Sequence, residues 1–156
     1  MKLFVDTGAW IALADKHDQY HQATQKLYRL IQQHNIPLLI TDYVFDETVT
    51  WIRYKIGHGV ACTWGKSILN SRMVEIFTVN EAHIHQAWEL FQTYHDQQFS
   101  FTDCLSFVVM QMFEIDTVFG YDAHFSTMNF RILFKFYGKN SRCVTYRKNF
   151  LVGQGL

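Results

Sequence analysis

Four acidic side chains sit where the surrounding residues are apolar: Asp6, Glu47, Asp103 and Asp122. Asp6 ends the run Leu3-Phe4-Val5, and Asp122 closes the run Thr117–Tyr121. Glu47 lies early in a helical segment, and Asp103 opens the most apolar helical segment of the chain. Carboxylates gathered at one place repel, by about 4 kcal/mol for a pair at 4 Å and an effective dielectric of 20, and must bind protons or cations. An all-oxygen donor set favours Mg²⁺ or Mn²⁺ over zinc. A carboxylate-held Mg²⁺ keeps waters and accepts a phosphate oxygen, which is the equipment of metal-assisted phosphodiester hydrolysis. Each acid also has a plainer role open to it. Asp103 can simply cap its helix, Glu47 can be an exposed helix acid, and Asp122 can start a turn before Ala123-His124-Phe125. Asp6 is the hardest to explain away, because a buried strand rarely ends on an unpaired charge.

The hydrophobic pattern says how these acids could meet. Leu3–Val5 reads as a strand buried on both faces, the signature of a parallel sheet, with Thr7-Gly8 turning the chain into the apolar segment Ala9–Ala14. Tyr20, Ala23, Leu27, Leu30 and Ile31 recur at helical spacing and predict a helix over 18–34. Leu38–Ile40 is a second strand, and Thr41 or Asp42 caps a helix whose core face carries Phe45, Val49, Ile52 and Ile56. Gly57 and Gly59 break it before a helix over 60–70. Met73–Val79 is a third strand, and Asn80 caps a helix holding Ile84, Ala87, Trp88, Phe91 and Tyr94. Ser100-Phe101-Thr102-Asp103 is a capping box with Asp in place of Glu. Thr117–Tyr121 is the fourth strand, and Phe130–Phe134 a short fifth at an edge. Strands alternating with helices predict a three-layer α/β/α domain with a mainly parallel sheet of four to five strands. In such a unit, strand carboxyl ends and the amino ends of the following helices share one sheet edge, so all four acids can converge there.

Composition narrows the class. With 156 residues, 49% of them hydrophobic and 18% charged, the chain reads as one core-forming domain. Cys62, Cys104 and Cys143 show no C-x-x-C spacing, which argues against a disulfide framework or zinc ribbon and fits a reducing, cytoplasmic setting. No signal peptide and no membrane-length apolar run are read from the sequence. Net charge is zero but unevenly spread. All 14 acids precede residue 123, whereas six of the 14 bases follow it: Arg131, Lys135, Lys139, Arg142, Arg147 and Lys148. The division expected is a domain over 1–134 and a basic extension over 135–156, loosely ordered from about 138, which is either a solvated tail or a phosphate-binding arm.

With FVDTGAW around Asp6, TDYVFDETVTWIR around Glu47, FSFTDCLSFVVM around Asp103 and VFGYDAHF around Asp122, residues 2–134 resemble the PIN-domain ribonucleases, most closely the VapC-type toxins of toxin–antitoxin pairs. The resemblance implies a PIN-like sheet ordered 3-2-1-4-5, with the first and last acids on neighbouring strands at the topological switch. It also implies a Mg²⁺- or Mn²⁺-dependent endoribonuclease, a homodimer, and a cognate antitoxin whose basic residue enters the acidic pocket. Position by position, Asp6, Glu47, Asp103 and Asp122 match the acidic quartet, and Thr7 and Thr102 match hydroxyls beside the first and third acids. Asp6 and Asp103 would be the principal metal ligands, with Glu47 and Asp122 holding a second metal or orienting the attacking water. The chain departs from the family in having Gly120 where a Ser or Thr often precedes the last acid, and Gly8 in place of a Ser- or Ala-like residue.

Two other classes compete. One is a catalytically silent relative that only binds RNA or protein. The other is an aspartic peptidase, suggested by Asp6-Thr7-Gly8-Ala9, although that fold pairs two such loops in an all-β body. A haloacid-type phosphatase needs Asp-x-Asp at the first strand, and residue 8 is glycine. The eight histidines show no metal-ligand spacing, and His124 reads as a surface residue beside Asp122. Trp10, Tyr20, Trp51 and Tyr54 can either pack the core or line the groove that receives an antitoxin peptide.

Overall fold

The computed structural model describes residues 1–134. The basic extension over 135–156 and Cys143 lie outside the described residues. Among the described residues five strands form one parallel sheet: β1 (Leu3–Val5), β2 (Leu38–Thr41), β3 (Val74–Phe77), β4 (Thr117–Phe119) and β5 (Arg131–Ile132). Their order is β3-β2-β1-β4-β5, so the chain winds outward from β1 in one direction and then from β4 in the other. The switch falls between β1 and β4, where Phe4 pairs with Val118 and Val5 with Phe119. Every residue of β1, β2 and β4 is buried, as expected of strands covered by helices on both faces.

Among the described residues seven helices flank the sheet: α1 (Thr7–Ala14), α2 (His21–Gln33), α3 (Asp42–Lys55), α4 (His58–Leu69), α5 (Glu81–Thr93), α6 (Phe101–Met112) and α7 (His124–Thr127). Their starts follow from side-chain caps. Asp6 accepts from Gly8 N, Thr41 from Val44 N, and the Ser100–Asp103 capping box satisfies the first turn of α6 from both sides. At α5, Asn80 caps and His83 supplies the return bond that Glu usually makes. Helix ends are equally local: Asn35, Glu114 and Asn129 take left-handed conformations after α2, α6 and α7.

Several boundaries differ from the sequence pattern. Thr7-Gly8 is not a turn but the first turn of α1, entered directly from β1. The segment 18–20 does not join α2; Asp15 and Asp18 instead accept from the amides of His17 and Tyr20 in successive turns. Strand β3 stops at Phe77 because the next amide on that edge, Val79 N, bonds to the Asp42 carboxylate rather than to a strand. The fifth strand holds only Arg131 and Ile132. Among the aromatics, Trp10 belongs to the core at 2% exposure, edge-on to Tyr28 and Trp64. Tyr54 is 79% exposed. No helix among the described residues is long and apolar enough to cross a membrane.

Candidate active site

The edge at which β1 and β4 end is where the acids gather. Asp6 follows β1 immediately and is only 8% exposed. Its Oδ2 accepts from Gly8 N at 3.2 Å, so the carboxylate is tied to the amino end of α1. One amide does not offset the loss of water. Burial, reinforced by the charges of Asp103, Asp122 and Glu47, lifts the Asp6 carboxyl from 3.8 to about 7. The other three acids expected from the sequence thus lie within electrostatic reach of Asp6.

Asp103 is held by α6. Its Oδ2 accepts from Ser100 N at 2.8 Å while Ser100 Oγ accepts from Asp103 N at 3.0 Å. The capping role and the site role are therefore one: the cap fixes the carboxylate at the cleft wall. Burial raises the Asp103 carboxyl, and Asp122 adds to the rise against the lowering effect of the Ser100 bonds and His124. Asp122, 38% exposed at its side chain, starts the turn into α7 by accepting from His124 N at 2.8 Å.

His124 departs from its expected surface position. It is half-buried, its ring meets Phe99 edge-on, and its Nδ1 lies 3.2 Å from Asp122 Oδ1 and 3.7 Å from Asp103 Oδ2. That nitrogen is shielded from solvent yet aligned for a hydrogen bond with neither oxygen. Donor atoms of Asp103, Asp122 and His124 lie within 4.8 Å of one another, close enough to share one cation. The signal in the sequence was the spacing Asp122-x-His124, which a turn folds back on itself.

Glu47 arrives from α3. It is exposed, and Thr7 Oγ1 donates to its Oε2 at 2.5 Å, joining the amino end of α1 to α3 across 40 residues of sequence. Thr102, the other hydroxyl matched by resemblance, is half-buried in the first turn of α6, where its carbonyl accepts from Ser106 Oγ. It is not among the residues lining the cleft.

The two glycines that depart from the family pattern both abut Asp6. A Cβ on Gly120 would stand 2.8 Å from Asp6 Cβ, closer than side chains tolerate, and one on Gly8 would stand 3.1 Å from Asp6 Oδ2. A side chain at 120 would therefore require the strand or Asp6 to shift. Together these groups border an open cleft of about 540 Å³, walled by Asp6, Thr7, Glu47, Ser100, Asp103, Asp122 and His124, with Ile11, Trp51 and Tyr121 among its less polar members. The Asp-Thr-Gly-Ala stretch is a strand-to-helix junction in a parallel sheet, so the paired-loop peptidase reading falls.

Fold and cleft together describe a parallel α/β domain carrying clustered acids at its topological switch, and comparison with known proteins agrees. The PIN-domain family model matches residues 3–131. The chain belongs to the PIN-domain family, in its VapC-type branch. It is 30% identical over 129 residues to the 23S rRNA-specific endonuclease VapC20 of Mycobacterium tuberculosis, covering 82% of this chain and 95% of that protein. A VapC ribonuclease of Archaeoglobus fulgidus is 24% identical over 128 residues, covering 81% and 80%. The crystal structure of M. tuberculosis VapC20, described as a sarcin–ricin loop cleaving toxin, superposes with a TM-score of 0.75 at 28% identity, covering 83% of this chain and 96% of that one.

Proposed function

We propose that this protein is a divalent-metal-dependent endoribonuclease and the toxin of a type II toxin–antitoxin pair. The observation that carries the proposal is the convergence of Asp6, Glu47, Asp103 and Asp122 on one cleft, with Asp6 buried deeply enough to be raised to about 7. A protein gains nothing in stability from such a cluster; a cation relieves it. The donor set fits Mg²⁺ or Mn²⁺: it is carboxylate-rich, with one imidazole nitrogen lacking a hydrogen-bond partner at its edge.

In this reading Asp6 and Asp103 hold the metal, and Glu47 and Asp122 hold a second ion or orient the attacking water. The bound metal would lower the pKa of that water and offset charge on the attacked phosphate. The remaining work belongs to the chain. Ser100 N fixes Asp103 through Oδ2, Gly8 N fixes Asp6, and the Thr7 hydroxyl holds Glu47 in place, so the carboxylates are oriented before RNA arrives.

The relatives' names make 23S rRNA, and its sarcin–ricin loop, the first substrate to test. The same reading places the protein in the cytoplasm as a homodimer, silenced by an antitoxin. The deciding experiment is sequencing of RNA ends after expression in cells, beside Asp6→Asn and with purified protein in Mg²⁺, Mn²⁺ or chelator. New ends are expected only with the intact quartet and a divalent ion. Cleavage that survives both Asp6→Asn and chelation would sink the assignment.

A further inference from the structure

The acids account for a phosphate, but a nuclease of this kind must also hold the nucleotide beside it. We propose that Trp51 is the nucleobase-stacking wall of the cleft, a positioning residue for RNA; this rests on the endoribonuclease reading above. Single-stranded RNA is gripped chiefly by stacking its splayed bases on aromatic rings.

Besides the His124 imidazole, which is packed edge-on against Phe99, two aromatic side chains line the cleft, Trp51 and Tyr121, and their surroundings differ. Both faces of Tyr121 are taken. Tyr20 stacks on one at 3.9 Å between centroids and Phe134 on the other at 3.8 Å, and its hydroxyl bonds to Thr24. No base can enter that column without breaking it. Trp51 has no ring partner among the described residues and is not part of the hydrophobic core or the side chains packed on it. It is nevertheless half-buried, because it stands inside the cleft. Trp51 follows Glu47 by one helical turn on α3, so a base resting on the indole places its own phosphate toward the carboxylates. Ile11 on α1 extends the apolar wall. An indole left off the core in an acidic cleft is costly for the protein alone and useful to a planar ligand.

The test uses the full-length chain carrying Asp6→Asn, so that RNA is not consumed, titrated in Mg²⁺ with a short mixed-sequence single-stranded RNA and with the same RNA made abasic. Stacking is worth about 1–3 kcal/mol per base, so Trp51→Ala should weaken binding of the base-bearing RNA roughly 5- to 150-fold. Trp51→Phe should recover most of the loss, and abasic RNA should bind the parent and Trp51→Ala alike. Near-ultraviolet circular dichroism of each variant checks the fold. The proposal is overturned if Trp51→Ala binds base-bearing RNA within about twofold of the parent, or loses base-bearing and abasic RNA equally. It is also overturned if RNA affinity holds while Trp51→Ala in the otherwise wild-type, cleaving chain escapes inhibition by a cognate antitoxin, which would make the indole a protein-docking residue. Failure of the nuclease reading is distinct: the wild-type chain would then cut no RNA in Mg²⁺ or Mn²⁺.

Discussion

Asp6 and Asp42 occupy equivalent places in the fold and do opposite things. Each follows a central parallel strand, Asp6 after β1 and Asp42 after β2, and each stands at the amino end of the next helix. Asp42 spends its carboxylate on the backbone: Oδ1 accepts from Tyr43 N and Val79 N at 3.1 Å, and Oδ2 from Val79 N at 3.2 Å. It thereby pins the end of β3 to the start of α3. Asp6 receives one amide, at 3.2 Å, and faces three other carboxylates from a more buried position. Position at a sheet edge does not make an acid chemical; what distinguishes the two is whether the backbone has already used the charge.

The comparison breaks most visibly at Asp6. A carboxyl raised from 3.8 to about 7 favours the fold less once ionised, by up to about 4 kcal/mol. Below pH 4 both folded and unfolded chains hold the proton and the term vanishes. Between pH 4 and 7 the unfolded chain releases it first, so metal-free stability falls as pH rises, levelling off above 7. Asp6→Asn keeps a competent cap and removes the charge. The expected result is RNA cleavage reduced by ~10²-fold or more alongside higher metal-free stability at pH 8. Denaturant titrations at pH 5 and pH 8, with and without Mg²⁺, measure it. Mg²⁺ should stabilise the wild type more at pH 8 than at pH 5 and do little for Asp6→Asn. A variant that is inactive and also less stable at pH 8 would mean Asp6 is structural, like Asp42.

Gly120→Ala attacks the same residue from β4. Its Cβ would lie 2.8 Å from Asp6 Cβ, so either the strand or the carboxylate must move. A cost of about 1–3 kcal/mol in thermal or denaturant unfolding is expected, with cleavage falling by more than stability explains. Gly120→Ser should fare no better, although the family often carries a hydroxyl there. Normal cleavage by Gly120→Ser would show that Asp6 has more freedom than its packing implies. Asp42→Ala is the counterpart: stability lower by about 1–3 kcal/mol from lost amide bonds, kcat and KM unchanged where the protein is folded.

What could be read from the sequence follows the range of the interactions. The first two buried strands, the Ser100–Asp103 box and the caps at Thr41 and Asn80 are decided within a few residues, and they are where the pattern put them, whereas β4 ends at Phe119, two residues short of the expected Tyr121. Gly8 misled as a turn signal because its amide is used in the first helical turn, where a glycine costs little and lies against Asp6. His124, Gly120 and the Asp42–Val79 bond were illegible for a different reason: each depends on a neighbour brought in by tertiary structure. The quartet itself was legible only because a parallel sheet sends strand ends and helix starts to one edge, an inference about topology rather than about any single acid. Thr7 and Thr102 divide on the same ground, equal in local sequence but only one of them reaching a cleft acid.

The smallest effect, and the finest test of the contrast, is at Thr7. Its hydroxyl gives Glu47 the kind of fixed partner that the backbone gives Asp42, but from a side chain that can be removed without disturbing a strand. Glu47 is exposed, so the bond contributes little to stability and acts by limiting where the carboxylate points. Outer partners of metal-binding carboxylates are commonly worth 10–100-fold in activity or metal affinity. Thr7→Val should fall near the low end, about 10-fold in kcat/KM, with a matching shift in the Mg²⁺ concentration for half-maximal cleavage and a near-unchanged melting temperature. Thr7→Ser, which keeps the donor, should stay within about twofold of wild type. Equal loss in both variants would assign the effect to packing of the α1 amino end, and Glu47 would then be held by its own helix alone.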